Sequence, residues 1–229
     1  MTPRDRISLL FFLGTLGALM FSSPRFSHRA EADTPATETP LYSNDFEKAA
    51  EGEPPKEIVI LNGAFEIKAV EGNKVLELPG DPVDSYGVLF GPEGQAYLKV
   101  QARIYATSTA KRMPEFGVGL GDSNGYKLWL MPATGQLQIL KGEEVVAKAE
   151  YPSWKTGAWT VLKLQARSDG GKTVVEGKAW PHGQSEPAGW SIRHEDGAEP
   201  PKGRASAWGV PFSSTPIRFD DLVVSAAPK

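Results

Sequence analysis

The feature that most restricts what this chain can fold into is the regular punctuation of its apolar runs by turn residues. From Leu41 onward, short stretches rich in Val, Leu, Ile, Tyr and Trp are cut every 8 to 12 residues or about that by Gly, Asn, Asp or Pro. The cuts "EGNK" at 71, "DSNG" at 122, "ATGQ" at 133 and "SDGGK" at 168 have hairpin chemistry, because Asn, Asp and Gly tolerate positive φ. Strands are predicted near 57–61, 64–70, 74–78, 86–90, 96–106, 115–121 and 126–131. Seven more are predicted near 136–140, 144–149, 159–167, 173–180, 189–194, 204–210 and 217–225. No window carries a helical period, and 24 Gly with 19 Pro in 229 residues fit the same reading. The expectation is an all-β, antiparallel two-sheet sandwich of jelly-roll type in which consecutive strands are neighbours.

Alternation sorts the faces. In "EFGVGLG", Phe116, Val118 and Leu120 share one side and Gly117, Gly119 and Gly121 the other. In "YKLWLM", Tyr126, Leu128 and Leu130 belong with the phenylalanine set, which leaves Lys127, Trp129 and Met131 on the glycine side. Two readings follow: the indole covers the glycines as packing, or the glycines leave a trough in which a saccharide stacks on Trp129. The second reading adds Lys127, Arg103 and Gln138 as polar partners for sugar hydroxyls.

Compartment is legible at the N-terminus. "MTPRDRISLLFFLGTLGALMF" places arginines before an apolar run from Ile7 to Phe21, which reads as a signal peptide or N-terminal anchor helix over 1–21. His28 at the −3 position before Ala30 makes a poor cleavage site, so an uncleaved anchor stays open and would be the chain's one membrane contact. Residues 22–40 read as a flexible, disordered linker and 41–229 as the domain, which makes the protein extracytoplasmic. Residues 1–30 carry +3 and the remainder −6, which argues against a nucleic-acid partner. With no cysteine there is no disulfide, thiolate metal site or cysteine nucleophile.

Motifs that suggest catalysis dissolve on inspection. "GDSNG" matches a nucleophile elbow, but a strand-like segment follows Ser123 where the elbow needs a helix. "SDGGKT" lacks the first glycine of a phosphate loop, since Ala166 stands there. His28, His182 and His194 have no metal-ligand spacing. Glu115 and Glu176 each lack a second carboxylate at i+2 or i+4.

Five segments in order, "LYSNDFE", "GYKLWL", "GAWTVLKLQA", "GKAWPHGQSEPAGW" and "IRFDDLVVS", resemble the concanavalin A-like lectin and glucanase superfamily in its laminin-G-like jelly-roll branch. That resemblance implies two sheets packed face to face with the terminal strands side by side, and no particular activity. It suggests a structural Ca²⁺ held by Asp45, Glu47 and Asp221 where those strands meet. It also suggests that Trp190 and Ile192 pack inward, while Trp180 sits at the sheet rim as a second sugar-stacking candidate. Laminarinase-type members carry E-x-D-x-x-E, because retaining hydrolysis needs two carboxylates about 5 Å apart, and that string is absent here. The expected function is an exported, non-catalytic module for carbohydrate or another cell-envelope ligand. The alternatives are a glycan-processing hydrolase of the glucanase or 3-keto-glycoside type and a structural envelope protein.

Overall fold

The computed structural model describes residues 39–80, 84–109, 112–211 and 215–228. Among them, strands numbered in chain order form two antiparallel sheets. Across the first sheet run β13 (Ile192–Asp196), β12 (Lys172–Pro181), β11 (Ala158–Asp169), β6 (Leu98–Ala106), β15 (Ile217–Ala226), β4 (Asn73–Leu78) and β3 (Glu66–Val70). A short strand, β1 (Tyr42–Asn44), also pairs with β15, so the terminal strands lie side by side. The second sheet runs β10 (Glu144–Glu150), β9 (Gln136–Lys141), β8 (Tyr126–Met131), β7 (Glu115–Leu120), β14 (Ala205–Val210), β5 (Tyr86–Phe90) and β2 (Val59–Asn62). The described residues contain no helix long and apolar enough to cross a membrane. The predicted signal or anchor at 1–21 and nearly all of the 22–40 linker lie outside them.

The hairpins form where the turn chemistry asks for them. Gly170 and Gly171, at φ 58° and 82°, close β11 onto β12, the backbone that a two-residue hairpin loop requires. Every predicted strand exists. The three-residue β1 is the exception that the sequence pattern missed, being too short to show alternation.

The expectation that consecutive strands are neighbours holds for hairpins such as β7–β8–β9–β10 and β11–β12–β13 but fails elsewhere. The chain crosses between sheets after β1, β2, β4, β5, β6, β10, β13 and β14, as it must for both sheets to bury one face. As a result β6 lies between β11 and β15, and β14 between β7 and β5.

The core lies between the sheets. Phe116, Val118, Leu128, Leu130, Leu137 and Ile139 from the second sheet meet Val100, Ile104, Leu162, Leu164, Val175 and Phe219 from the first, all fully buried. Gly177 on β12 leaves room for Leu128 from the opposite sheet, since a Cβ there would overlap the leucine. Trp190 does not pack inward with Ile192. It precedes β13 in a loop, half-buried, with the Lys178 ammonium 4.7 Å from its ring centroid. Trp180 stays outside the core cluster as well, directly across from Val161 on the outer face of the first sheet.

Candidate functional site

The trough predicted beside Trp129 is filled. Trp129 is 8% exposed and lies across from Gly117, where a Cβ would overlap the indole. Its N–H donates to Glu115 Oε2 at 2.9 Å. Trp208 covers Gly87 in the same way and donates to Ser206 Oγ, and the two indoles form a small apolar cluster with Val210. The glycines therefore make room for tryptophans rather than for a ligand.

Lys127 and Gln138 do stand beside Trp129. Burial lowers the Lys127 pKa against the opposing pull of Glu143, and its ammonium lies 4.3 Å from the Trp208 ring centroid. Gln138 is buried and pairs with Gln136. Arg103 and Trp180 belong to the other sheet, so the structure divides the five predicted sugar contacts between opposite faces of the sandwich. Trp180, at 7% exposure, presents no open ring.

The three residues named for a structural Ca²⁺ each bond within the chain. Asp45 Oδ1 accepts the Glu47 N–H, Glu47 Oε1 accepts the Lys74 N–H at 2.9 Å, and Asp221 Oδ2 lies 2.8 Å from Arg103 Nε. No group of three or more His, Asp or Glu among the described residues comes together to hold a metal ion.

A different constellation stands on the outer face of the first sheet. Strand pairing puts Arg218 (β15), Tyr105 (β6) and Trp159 (β11) in one transverse row, and Asp220 (β15), Arg103 (β6) and Val161 (β11) in the next. Tyr105 and Trp159 meet with ring centroids 5.5 Å apart. Arg218 lies 5.2 Å from the Tyr105 centroid and Arg103 lies 4.8 Å from that of Trp159. Both rings are half-buried and reach solvent.

What holds this row is a bulge in β15. Its first half pairs with β4 and its second half with β1, and the register against β6 slips by one residue between Asp220 and Val223. The bulge, with Asp221 at φ 48°, brings both aspartates to Arg103. Asp220 is fully buried. Its Oδ2 accepts from Arg103 at 2.6 Å and from Asn73 at 2.7 Å, and its Oδ1 accepts the Asp221 N–H. Burial raises the Asp220 pKa, and the bonds from Asn73 and Asp221 with the Arg103 charge only partly offset it. Arg103 Nε, though close to Asp221, is not aligned to donate to it. Arg218 donates to the buried Glu77, which also takes Lys68. Burial works against the Glu77 charge, but those two hydrogen bonds outweigh it and lower its pKa.

Two cavities adjoin the row. One, about 250 Å³, is lined by Asn73, Arg103, Tyr105, Trp159 and Arg218 among others. The second, about 340 Å³, is lined by Ser153, Lys155, Trp159, Thr160, Pro181 and Gln184 with Ala158. The proline-studded loop after β12 forms part of its wall, because the His182 N–H donates to the Trp159 carbonyl and Glu186 binds Lys163 and Lys178. A larger depression of about 640 Å³ follows β1, but no aromatic ring lines it. Sequence reasoning singled out Arg103 of this site and missed Trp159, Tyr105, Arg218 and Asn73 as contacts. Glu115 is bonded to Trp129, and Glu176 is buried against Gln165 and Arg167.

The architecture is the concanavalin A-like jelly roll: two antiparallel sheets with paired terminal strands. Solved structures of the same fold include a carbohydrate-binding module, CBM66, from Bacillus subtilis at 12% identity and TM-score 0.51, covering 74% of this chain and 96% of that one. A Bacillus subtilis protein of unknown function with a galectin-like fold matches at 11% identity and TM-score 0.56, covering 84% and 99%. The carbohydrate recognition domain of Emp46p, in a metal-free form, matches at 10% identity and TM-score 0.52, covering 83% and 98%. At these identities the likeness is one of fold. No protein-family model matches the sequence, and no curated protein matches it either.

Proposed function

We propose that the chain is an exported, non-catalytic binding module that holds a neutral saccharide, such as a cell-envelope glycan, against Trp159 on the outer face of the first sheet. The observation that carries this reading is the half-exposed indole of Trp159, held by Tyr105 and Arg103 from β6 and bordering two cavities. A pyranose has faces of C–H bonds that suit an aromatic π surface and a rim of hydroxyls that needs donors and acceptors. Arg103 lies over the indole, and the part of the ring that reaches solvent is where such a sugar would stack. Asn73, Ser153, Thr160 and Gln184 line the two cavities with neutral donors and acceptors.

Neutrality follows from the charges. Arg103 and Arg218 already bind carboxylates and Glu71 adds negative charge in the smaller cavity, so an acidic sugar is disfavoured there. Export is supported by the arginine-then-apolar N-terminus, and saccharide binding by the carbohydrate-binding proteins that share the fold. A glycan-array screen of the full chain tests the reading: retention on neutral glycans supports it, and retention on acidic glycans alone, or on none, contradicts it.

A further inference from the structure

Trp159 is common to the linings of both cavities, which therefore neighbour one another at this residue. On one side stand Asn73 and Arg218, on the other Ser153 and Gln184, so each cavity has polar groups of its own for hydroxyls. The backbone fixes both sides of the divide. Tyr105 lies across from Trp159 on β6, and the chain leaving β12 is bonded to the Trp159 carbonyl through His182. The loop that continues from it is tied down by Glu186 to Lys163 and Lys178, at 2.8 Å and 2.7 Å. Tyr105 and Arg103 hold the indole from the β6 side.

We propose that the two cavities are adjacent sugar positions divided by Trp159, so that the unit recognised is two consecutive residues of a neutral glycan rather than a single sugar. This rests on the saccharide reading above and specifies its ligand. Once the first residue is seated, a covalently linked second one meets its cavity at high effective concentration, and its contacts add to the affinity without a second association cost.

Calorimetric titration of the full chain with glucose, galactose and mannose, and with unbranched di- and trisaccharides of each, tests the proposal. The expected result is a rise of about tenfold or more in affinity from mono- to disaccharide in the series that binds, with little further gain at the trisaccharide. Filling the larger cavity from either of its exposed loops, by Gln184→Trp or Ser153→Trp, should bring the disaccharide down to the affinity of the monosaccharide. Equal affinity for mono- and disaccharide in the unaltered protein overturns the two-position site and leaves the saccharide reading standing. So does a disaccharide affinity that both filled variants retain. Failure of every sugar to bind overturns the saccharide reading itself, and this inference with it.

Discussion

Whether a tryptophan on an outward strand position packs or stays available depends on the residue across the ladder. Trp129 faces Gly117, so its indole lies down on the sheet and disappears from solvent. Trp159 faces Tyr105, which is too bulky to be covered, so the ring remains half-exposed. The two substitutions should behave oppositely. Trp129→Ala is expected to cost about 3 kcal/mol in denaturant titration, as removal of a large buried side chain does, and Trp159→Ala far less. Leu164, fully buried between the sheets, should cost roughly 2 to 5 kcal/mol on change to alanine. A loss near zero there would place the leucine on the wrong face of β11.

At the level of elements, strand positions and facing were legible because alternation and turn chemistry are local. "EFGVGLG" and "YKLWLM" give their inward residues directly, and the structure buries those residues together. The site was not legible, because Arg218, Tyr105 and Trp159 become neighbours only through the β15–β6–β11 order, which no local pattern encodes. The bulge at Asp220 was equally hidden. "FDD" reads as two acids on opposite faces, and the extra residue in the ladder turns both toward Arg103. The loop after β12 carries a separate prediction. Its ties run through Glu186 to Lys163 and Lys178 and through the Pro187 carbonyl, which accepts from Lys178; Glu186 is 40% exposed, so Glu186→Ala should change stability by less than about 1 kcal/mol. It should nonetheless speed amide hydrogen exchange across residues 183–189, and unchanged exchange there would show that the Glu186 ion pairs do not hold the loop.

For the whole molecule, the buried carboxylates of the first sheet set the response to acid. Burial disfavours charge on Glu77 and Glu176, but their partners outweigh it: the cations Lys68 and Arg218 for the first, the Arg167 cation and the Gln165 amide for the second. Both fold with pKa values below the ordinary 4.5, so their stabilisation is complete above that value and lost as the pH falls through the lower folded values. Asp220 has the opposite sign. Its raised pKa means that ionisation costs stability as the pH rises from 3.8 through the folded value. Glu176→Gln should therefore lower stability at neutral pH and flatten its decline below pH 4.5, a difference that melting curves across that range would register.

The fold supplies a rigid sheet, the bulge fixes Arg103, and Arg103 with Tyr105 presents Trp159 at the meeting of two cavities. The most direct test compares binding of the best neutral glycan by the unaltered protein and by Trp159→Ala, with the melting temperature of each as control. Loss of binding with a near-unchanged melting temperature is the predicted result. Retained binding by a folded Trp159→Ala protein would contradict the account.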